Sequence, residues 1–151
     1  DLSTDFEFIS HALHWLKDNE NYIPDIVLQL RCTSPTRTVK QINNALNKFI
    51  EIRDHYDSLR TVIKNYEKTP YKLYRIIDGM LTPLFCEVDH IKEPYNQARQ
   101  ILPQCYLHNG YIDILNADIL KNDTISGNRI YPFVMNNDNN IEIDEKKDIP
   151  L

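Results

Sequence analysis

Apolar positions recur along the chain in two kinds of block, one with helical spacing and one short and extended. Ser3-Thr4-Asp5 precedes Phe8, Ile9, Ala12, Leu13 and Leu16, which share one face of a helix. Ser3 or Thr4 supplies the N-terminal cap, and Asn19, Asn21 and Pro24 close the element. Residues 25–31 are short and mostly apolar, which predicts a buried strand of the kind found in parallel sheets. After a polar turn, a second helix is expected from near Thr38 to about Arg53, with Val39, Ile42, Ala45, Leu46 and Phe49 as its apolar stripe. Residues 58–66 read as a strand. Residues 71–77 and 80–85 flank Asp78-Gly79, a hairpin signal. A charged loop containing Pro94 follows, then Asn109-Gly110 leading into a strand over 111–115, a short helix near 117–121 and a strand over 130–135. The helix–strand–helix–strand opening predicts an α/β fold with a parallel core, which the hairpin interrupts as an inserted arm.

Composition narrows the class. With 151 residues, 42% of them hydrophobic and 26% charged, the chain is expected to form one ordinary globular domain, residues 1–151. A net charge of -5 without basic runs argues against nucleic-acid binding. No apolar run reaches the length of a membrane span. Cys32, Cys86 and Cys105 are odd in number and irregularly spaced, so reduced thiols and a cytoplasmic location are expected. The chain opens on Asp1 rather than Met and starts almost inside a helix, which suggests that residues precede it.

Candidate chemistry concentrates at a few places. The C-terminal end of a parallel strand is the usual ligand site of an open α/β sheet, and here it carries Arg31, Thr33 and Ser34. Arg31 can pair with a phosphate or carboxylate and the hydroxyls can donate to it; equally, the segment can be a plain strand-to-helix turn. Glu142-Ile143-Asp144 puts two carboxylates on one face of an extended segment, a donor set suited to Mg²⁺, although an ordinary edge strand shows the same alternation. Arg99, beside Gln100, can hold a carboxylate or be a solvated cation. The 107–110 segment can present His108 or Asn109 to a ligand or simply turn. His11, expected to be partly buried or to face a substrate, and His14, expected to be exposed, lack a third metal ligand. Nothing supports a nucleophilic serine or cysteine, and Cys32 reads as a wall residue.

Taken in order, these segments resemble one family. Leu30-Arg31-Cys32-Thr33-Ser34-Pro35-Thr36-Arg37 is similar to the L-R/Q-P-T-S/T-P-L-R segment of the acylneuraminate cytidylyltransferases, the CMP-sialic acid synthetases. Asp57 to Val62, Pro70-Tyr71-Lys72 and Asp78 to Phe85 resemble that family's central strand and arm. Asn96 to Gln100, Leu102-Pro103 and Asn109 to Asp113 resemble its sugar-side segment, and Glu142-Ile143-Asp144 resembles its D-I-D metal motif. The resemblance implies a three-layer, Rossmann-like nucleotidyltransferase fold of the glycosyltransferase-A kind, incomplete at its N-terminus, with an inserted β-hairpin dimerisation arm at about residues 69–95. It implies transfer of CMP from CTP to an acidic keto-sugar, sialic acid or a relative, with release of pyrophosphate. By the same resemblance Glu142 and Asp144 hold Mg²⁺, and Asp144 and Arg99 are catalytic, with Arg99 meeting the sugar carboxylate. Arg31, Thr33, Ser34, Gln100 and Asn109 line the nucleotide and sugar cleft. A homodimer is implied.

Departures from the family qualify that expectation. Its first third, with the opening strand and a basic R-x-G-S-K loop for the triphosphate, has no counterpart here, so the isolated chain is expected to be inactive. The strand at 25–31 is then expected to have an open edge, which a partner could fill. Cys32 replaces a usual Pro, Glu142 a usual Asp and Leu107 a frequent Arg. The alternative reading is a non-catalytic module of the same descent that binds a sugar acid or dimerises.

Overall fold

The computed structural model describes residues 2–65, 69–136 and 143. They form two compact units, one of residues 1–62 with 108–151 and one of residues 63–107. The architecture is mixed α/β.

The first unit begins with helix α1, Asp5–Glu20. Of the two candidate caps it is Thr4 that serves: its hydroxyl accepts from the Glu7 N–H, and the Glu7 carboxylate accepts from the Thr4 N–H at 2.6 Å. Such a box stabilises a helix start by about 1 kcal/mol. Asn21 ends the helix in the left-handed conformation. Strand β1, Ile26–Gln29, leads to helix α2, Val39–Ile52, whose Thr38 and Gln41 form a second capping box. Strand β2 is Ser58–Lys64. Two further long strands are β7, Tyr106–Asn116, and β8, Ile130–Met135, joined by a 3-10 turn at Ala117–Asn122.

The sheet order is β1-β7-β2-β8. The expected parallel core is therefore corrected to a mixed sheet. β1 pairs antiparallel with β7, from Ile26 opposite Asn116 to Gln29 opposite Asp113. β2 also runs against β7, since Asp57 meets Asn116 at one end and Thr61 meets Ile112 further in. β8 starts beside β2, where the Arg129 carbonyl accepts from Asp57 N–H at 2.8 Å. A periodicity argument sees each strand alone and cannot tell that a late strand slips between two early ones.

Alternate residues of β1 divide the core. Ile26 and Leu28 pack with Ala45 and Phe49 of α2 and with Leu59, Ile112 and Ile114. Val27 packs the other way, with Ile9 and Leu13 of α1 and with Leu115 and Ile119. Ala45, Phe49, Leu59, Ile112 and Ile114 are wholly buried, and each large side chain among them contributes about 1.5–3 kcal/mol. Val39 was expected in the α2 stripe but is 73% exposed. His11 is exposed as well.

The second unit contains the hairpin β3, Tyr74–Ile77, and β4, Met80–Pro83, paired antiparallel as the Asp78-Gly79 signal predicts. The expected arm falls inside this unit. A 3-10 turn at Pro70–Lys72 replaces the start of the expected 71–77 strand. A second small hairpin, β5 at Glu87–Val88 and β6 at Ile91–Lys92, turns through Asp89 and His90, both with positive φ, in place of the expected charged loop. The Lys72 ammonium donates to the carbonyls of Tyr95 and Gln97. A hydrogen bond with the Cys105 thiol, then burial, push the Tyr71 phenol up to about 12.

The turn into β8 is closed by Asp57, whose carboxylate accepts from the N–H groups of Asn128 and Arg129 and from the Arg129 guanidinium. Gly127 sits at φ +67, and a Cβ there would come within 2.3 Å of the Asp57 side chain. Those donors, the Arg129 N–H first, hold the Asp57 carboxyl below its ordinary value of 3.8. A lowered folded-state pKa gives stability that is present above the ordinary value and lost as pH falls through it toward the folded value. Asp57→Asn is expected to lower the urea midpoint at pH 7, with the gap between variant and parent narrowing as pH falls below about 4, the ordinary carboxylate range. An unchanged gap between pH 7 and pH 3 would contradict this.

Candidate functional site

The strongest concentration of polar chemistry in the first unit lies where β1 ends beside the start of the buried part of β7. The loop after β1 closes on itself: the Arg31 carbonyl accepts from the Ser34 N–H at 3.3 Å and from the Arg37 guanidinium. Arg37 also lies over the Tyr111 ring, 5.5 Å from its centre. Burial lowers its pKa from the ordinary arginine value.

Arg31 does not wait unpaired for a ligand. Its guanidinium donates to Asp5 of α1 at 2.5 Å and lies 3.8 Å from Asp113 of β7. Asp113 is only 4% exposed and also meets His108 Nε2 at 2.9 Å. The result is a compact cluster of two carboxylates, one guanidinium and one imidazole. Gly110, at φ +59, makes room for it: a Cβ there would stand 3.0 Å from the Arg31 side chain. Asn109-Gly110 is thus no turn between elements but part of the eleven-residue β7.

Asn109 is locked from beneath. Its Oδ1 accepts from the Thr61 hydroxyl at 2.7 Å and from the Tyr111 N–H at 3.3 Å, while the Thr61 Oγ1 accepts from the Ile112 N–H at 2.9 Å. The Asn109 Nδ2, Arg31 Nε, Asp113 Oδ2 and Gln29 Oε1 atoms are buried without a hydrogen bond among the described residues, the Asp113 Oδ2 having only the ion-pair contact with Arg31. Four unmet polar atoms around one strand end leave hydrogen-bonding capacity for a bound group.

The sequence-predicted residues divide accordingly. Arg31, Thr33, Ser34 and Asn109 come together here, although Ser34 is buried and Cys32 exposed. Arg99 and Gln100 belong to the second unit, on an exposed 3-10 turn, Arg99–Ile101. There Arg99 lines a hollow of about 110 Å³ with Asn65, Thr69 and Gln104. Glu142 and Asp144 lie outside the described residues. Ile143 between them donates its N–H to the Thr33 carbonyl at 2.8 Å, so the centre of that motif touches the β1 loop. Among the described residues no group of three or more acidic, His or Cys side chains forms a metal cluster, and no helix is long and apolar enough to cross a membrane. Sequence reasoning gave no role to Asp5, Asp113 or Thr61. Asp113 carries a signal in hindsight, since a carboxylate between Ile112 and Ile114 breaks an apolar run.

No protein-family model matches the chain. The chain is 27% identical, over 152 aligned residues, to the N-acylneuraminate cytidylyltransferase of Escherichia coli O18:K1:H7 (strain RS218 / NMEC). The match takes in the whole of this chain and 33% of that protein. The chain is thus distantly similar to a cytidylyltransferase and spans about a third of the length of the curated relative it matches.

Thr61→Val keeps the shape of the buried side chain but leaves the Ile112 N–H without its acceptor and Asn109 without its closest donor. A loss of about 1–3 kcal/mol is expected, read as a lower urea midpoint at unchanged m-value. A midpoint equal to the parent's would show that the Thr61 hydroxyl is not what holds Asn109.

Proposed function

We propose that this chain is part of a cytidylyltransferase-like nucleotidyltransferase that moves CMP from CTP to an acidic keto-sugar. The observation that carries the reading is the alignment of the whole chain with the Escherichia coli enzyme. The polar cluster at the β1 end, where the Arg31 loop meets the Asn109 segment, supports it. So does the Ile143–Thr33 hydrogen bond, which ties the Glu142-Ile143-Asp144 segment to that loop.

In the proposed reaction the anomeric hydroxyl of the sugar attacks the α-phosphorus of CTP. A C–O–P bond forms, the α–β phosphoanhydride bond breaks, pyrophosphate leaves and the hydroxyl proton goes to solvent or a nearby base. Two carboxylates one residue apart suit Mg²⁺, so Glu142 and Asp144 are its proposed holders; the ion supplies neutralisation of phosphate charge. Arg99 is the proposed partner of the sugar carboxylate, with Asp144 as the second catalytic residue. Arg31, Thr33, Ser34, Gln100 and Asn109 are the proposed nucleotide and sugar contacts. Arg31, already paired with Asp5 and Asp113, would shape the cleft wall more than bind a phosphate directly.

The 151 residues by themselves are proposed to be inactive. All three glycines are spent on structure: Gly79 in the hairpin turn, Gly110 beside Arg31 and Gly127 beside Asp57. None is left for a phosphate-cradling loop. With Mg²⁺, CTP and sialic acid, the 151-residue chain is expected to release no pyrophosphate above background. A longer form of the protein is expected to release it, and Asp144→Asn in that form to cut the rate at least a hundredfold. Robust release from the 151 residues would overturn the inactivity; none from the longer form with any keto-sugar acid would overturn the function.

The β3–β4 hairpin is the proposed dimer arm. Both of its faces carry exposed apolar side chains, Ile76 at 78% and Leu81 at 66% among them. Light scattering is expected to give a dimer mass, and Ile76→Glu with Leu81→Glu a monomer of unchanged fold. A monomeric parent at micromolar concentration would remove the arm from the proposal.

A further inference from the structure

A second concentration of polar side chains lies at the opposite end of β1 and β7 from the Arg31 cluster. It surrounds a hollow of about 500 Å³ within the first unit. Four segments meet there: the second half of α1, the loop into β1, the end of α2 and the turn that follows β7. They bring three cations, Lys17, Arg53 and Lys121, and three carboxylates, Asp25, Asp54 and Asp118. None of these six side chains forms an ion pair or a hydrogen bond among the described residues. Leu13 and Ala117 add apolar lining.

Charges in contact with water lose little by standing unpaired, so the six alone carry no inference. Asn116 supplies the further observation. It ends β7 and lines the same hollow. Its Nδ2 donates to the carbonyls of Arg53 at 3.2 Å and Tyr56 at 3.1 Å. Two carbonyls fix which end of the amide carries the hydrogens, so Oδ1 is the atom left over. That oxygen is buried and has no donor among the described residues. A buried acceptor in the wall of a hollow calls for an N–H or O–H group from a bound molecule.

The surrounding charges select the chemistry of that donor. A simple anion would meet the cations but also three carboxylates, and it brings no N–H for Asn116. A polyamine would face three cations. A neutral polyol would leave the charges of both signs as they are. An ammonium and a carboxylate on one small body answer both: the ammonium donates to Asn116 Oδ1 and the aspartates, and the carboxylate accepts from Arg53 and the lysines. The volume is that of a small-molecule site, and Leu13 and Ala117 favour an apolar remainder. We propose that this hollow binds a free α-amino acid with an apolar side chain. The inference uses the hollow alone and stands whichever reaction the Arg31 end serves.

The test is an NMR titration of the 151-residue chain with L-leucine, L-methionine and L-phenylalanine in turn, each to millimolar concentration. At least one is expected to give saturable shifts at the backbone amides of Lys17, Ala117 and Asp118 and at the Asn116 side-chain amide, and none at Arg31 or Asn109. Acetylating the ammonium of that amino acid should weaken binding at least tenfold, and so should converting its carboxylate to the methyl ester. Glycine should bind at least tenfold more weakly. Lys17→Gln with Lys121→Gln, both at exposed positions, should weaken binding at least tenfold at an unchanged urea midpoint. No saturable shift at those residues with any of the three amino acids would overturn the proposal, as would equal binding by glycine, by the acetylated form or to the double variant. Equal binding of the methyl ester would overturn it in favour of the N-terminus of a polypeptide, which carries the ammonium alone.

Discussion

Everything in the first unit hangs on β7. It pairs with β1 on one side and β2 on the other, and its residues Tyr111 to Leu115 are all buried. Ile112 and Ile114 face the α2 core, while Leu115 faces the α1 core. A strand enclosed in this way cannot hold an unpaired charge, so Asp113 is met by Arg31 and His108. The polar cluster at the β1 end follows from that single buried carboxylate. Arg31 then recruits Asp5, which fixes the start of α1 over the sheet.

The same constraint connects fold to candidate function. The candidate residues Arg31, Thr33 and Asn109 stand where β1 stops and β7 enters its buried stretch. Thr61 holds Asn109 from below with its hydroxyl, and the missing side chain of Gly110 leaves the space that Arg31 fills. The outer edge of β1, which has no neighbouring strand among the described residues, is the other face of this arrangement. β7 takes the backbone groups of alternate β1 residues and leaves those of Ile26 and Leu28 facing a groove with an apolar wall.

The sequence alone determined the local elements and their caps. Thr4 with Glu7 and Thr38 with Gln41 begin the helices, Asp78-Gly79 turns the hairpin, and residues 130–135 form a strand where their alternation placed it. These depend on contacts within a few residues, which spacing and side-chain type express directly. The motif segments were also legible, since a resemblance needs only residue order. Tertiary structure alone decided the strand order and the antiparallel course of β7, the extension of that strand through Asn109-Gly110, and the joining of Asp5, Arg31, His108 and Asp113. Such partners are brought together by burial across distant parts of the chain, and no local pattern records which carboxylate a buried arginine will meet.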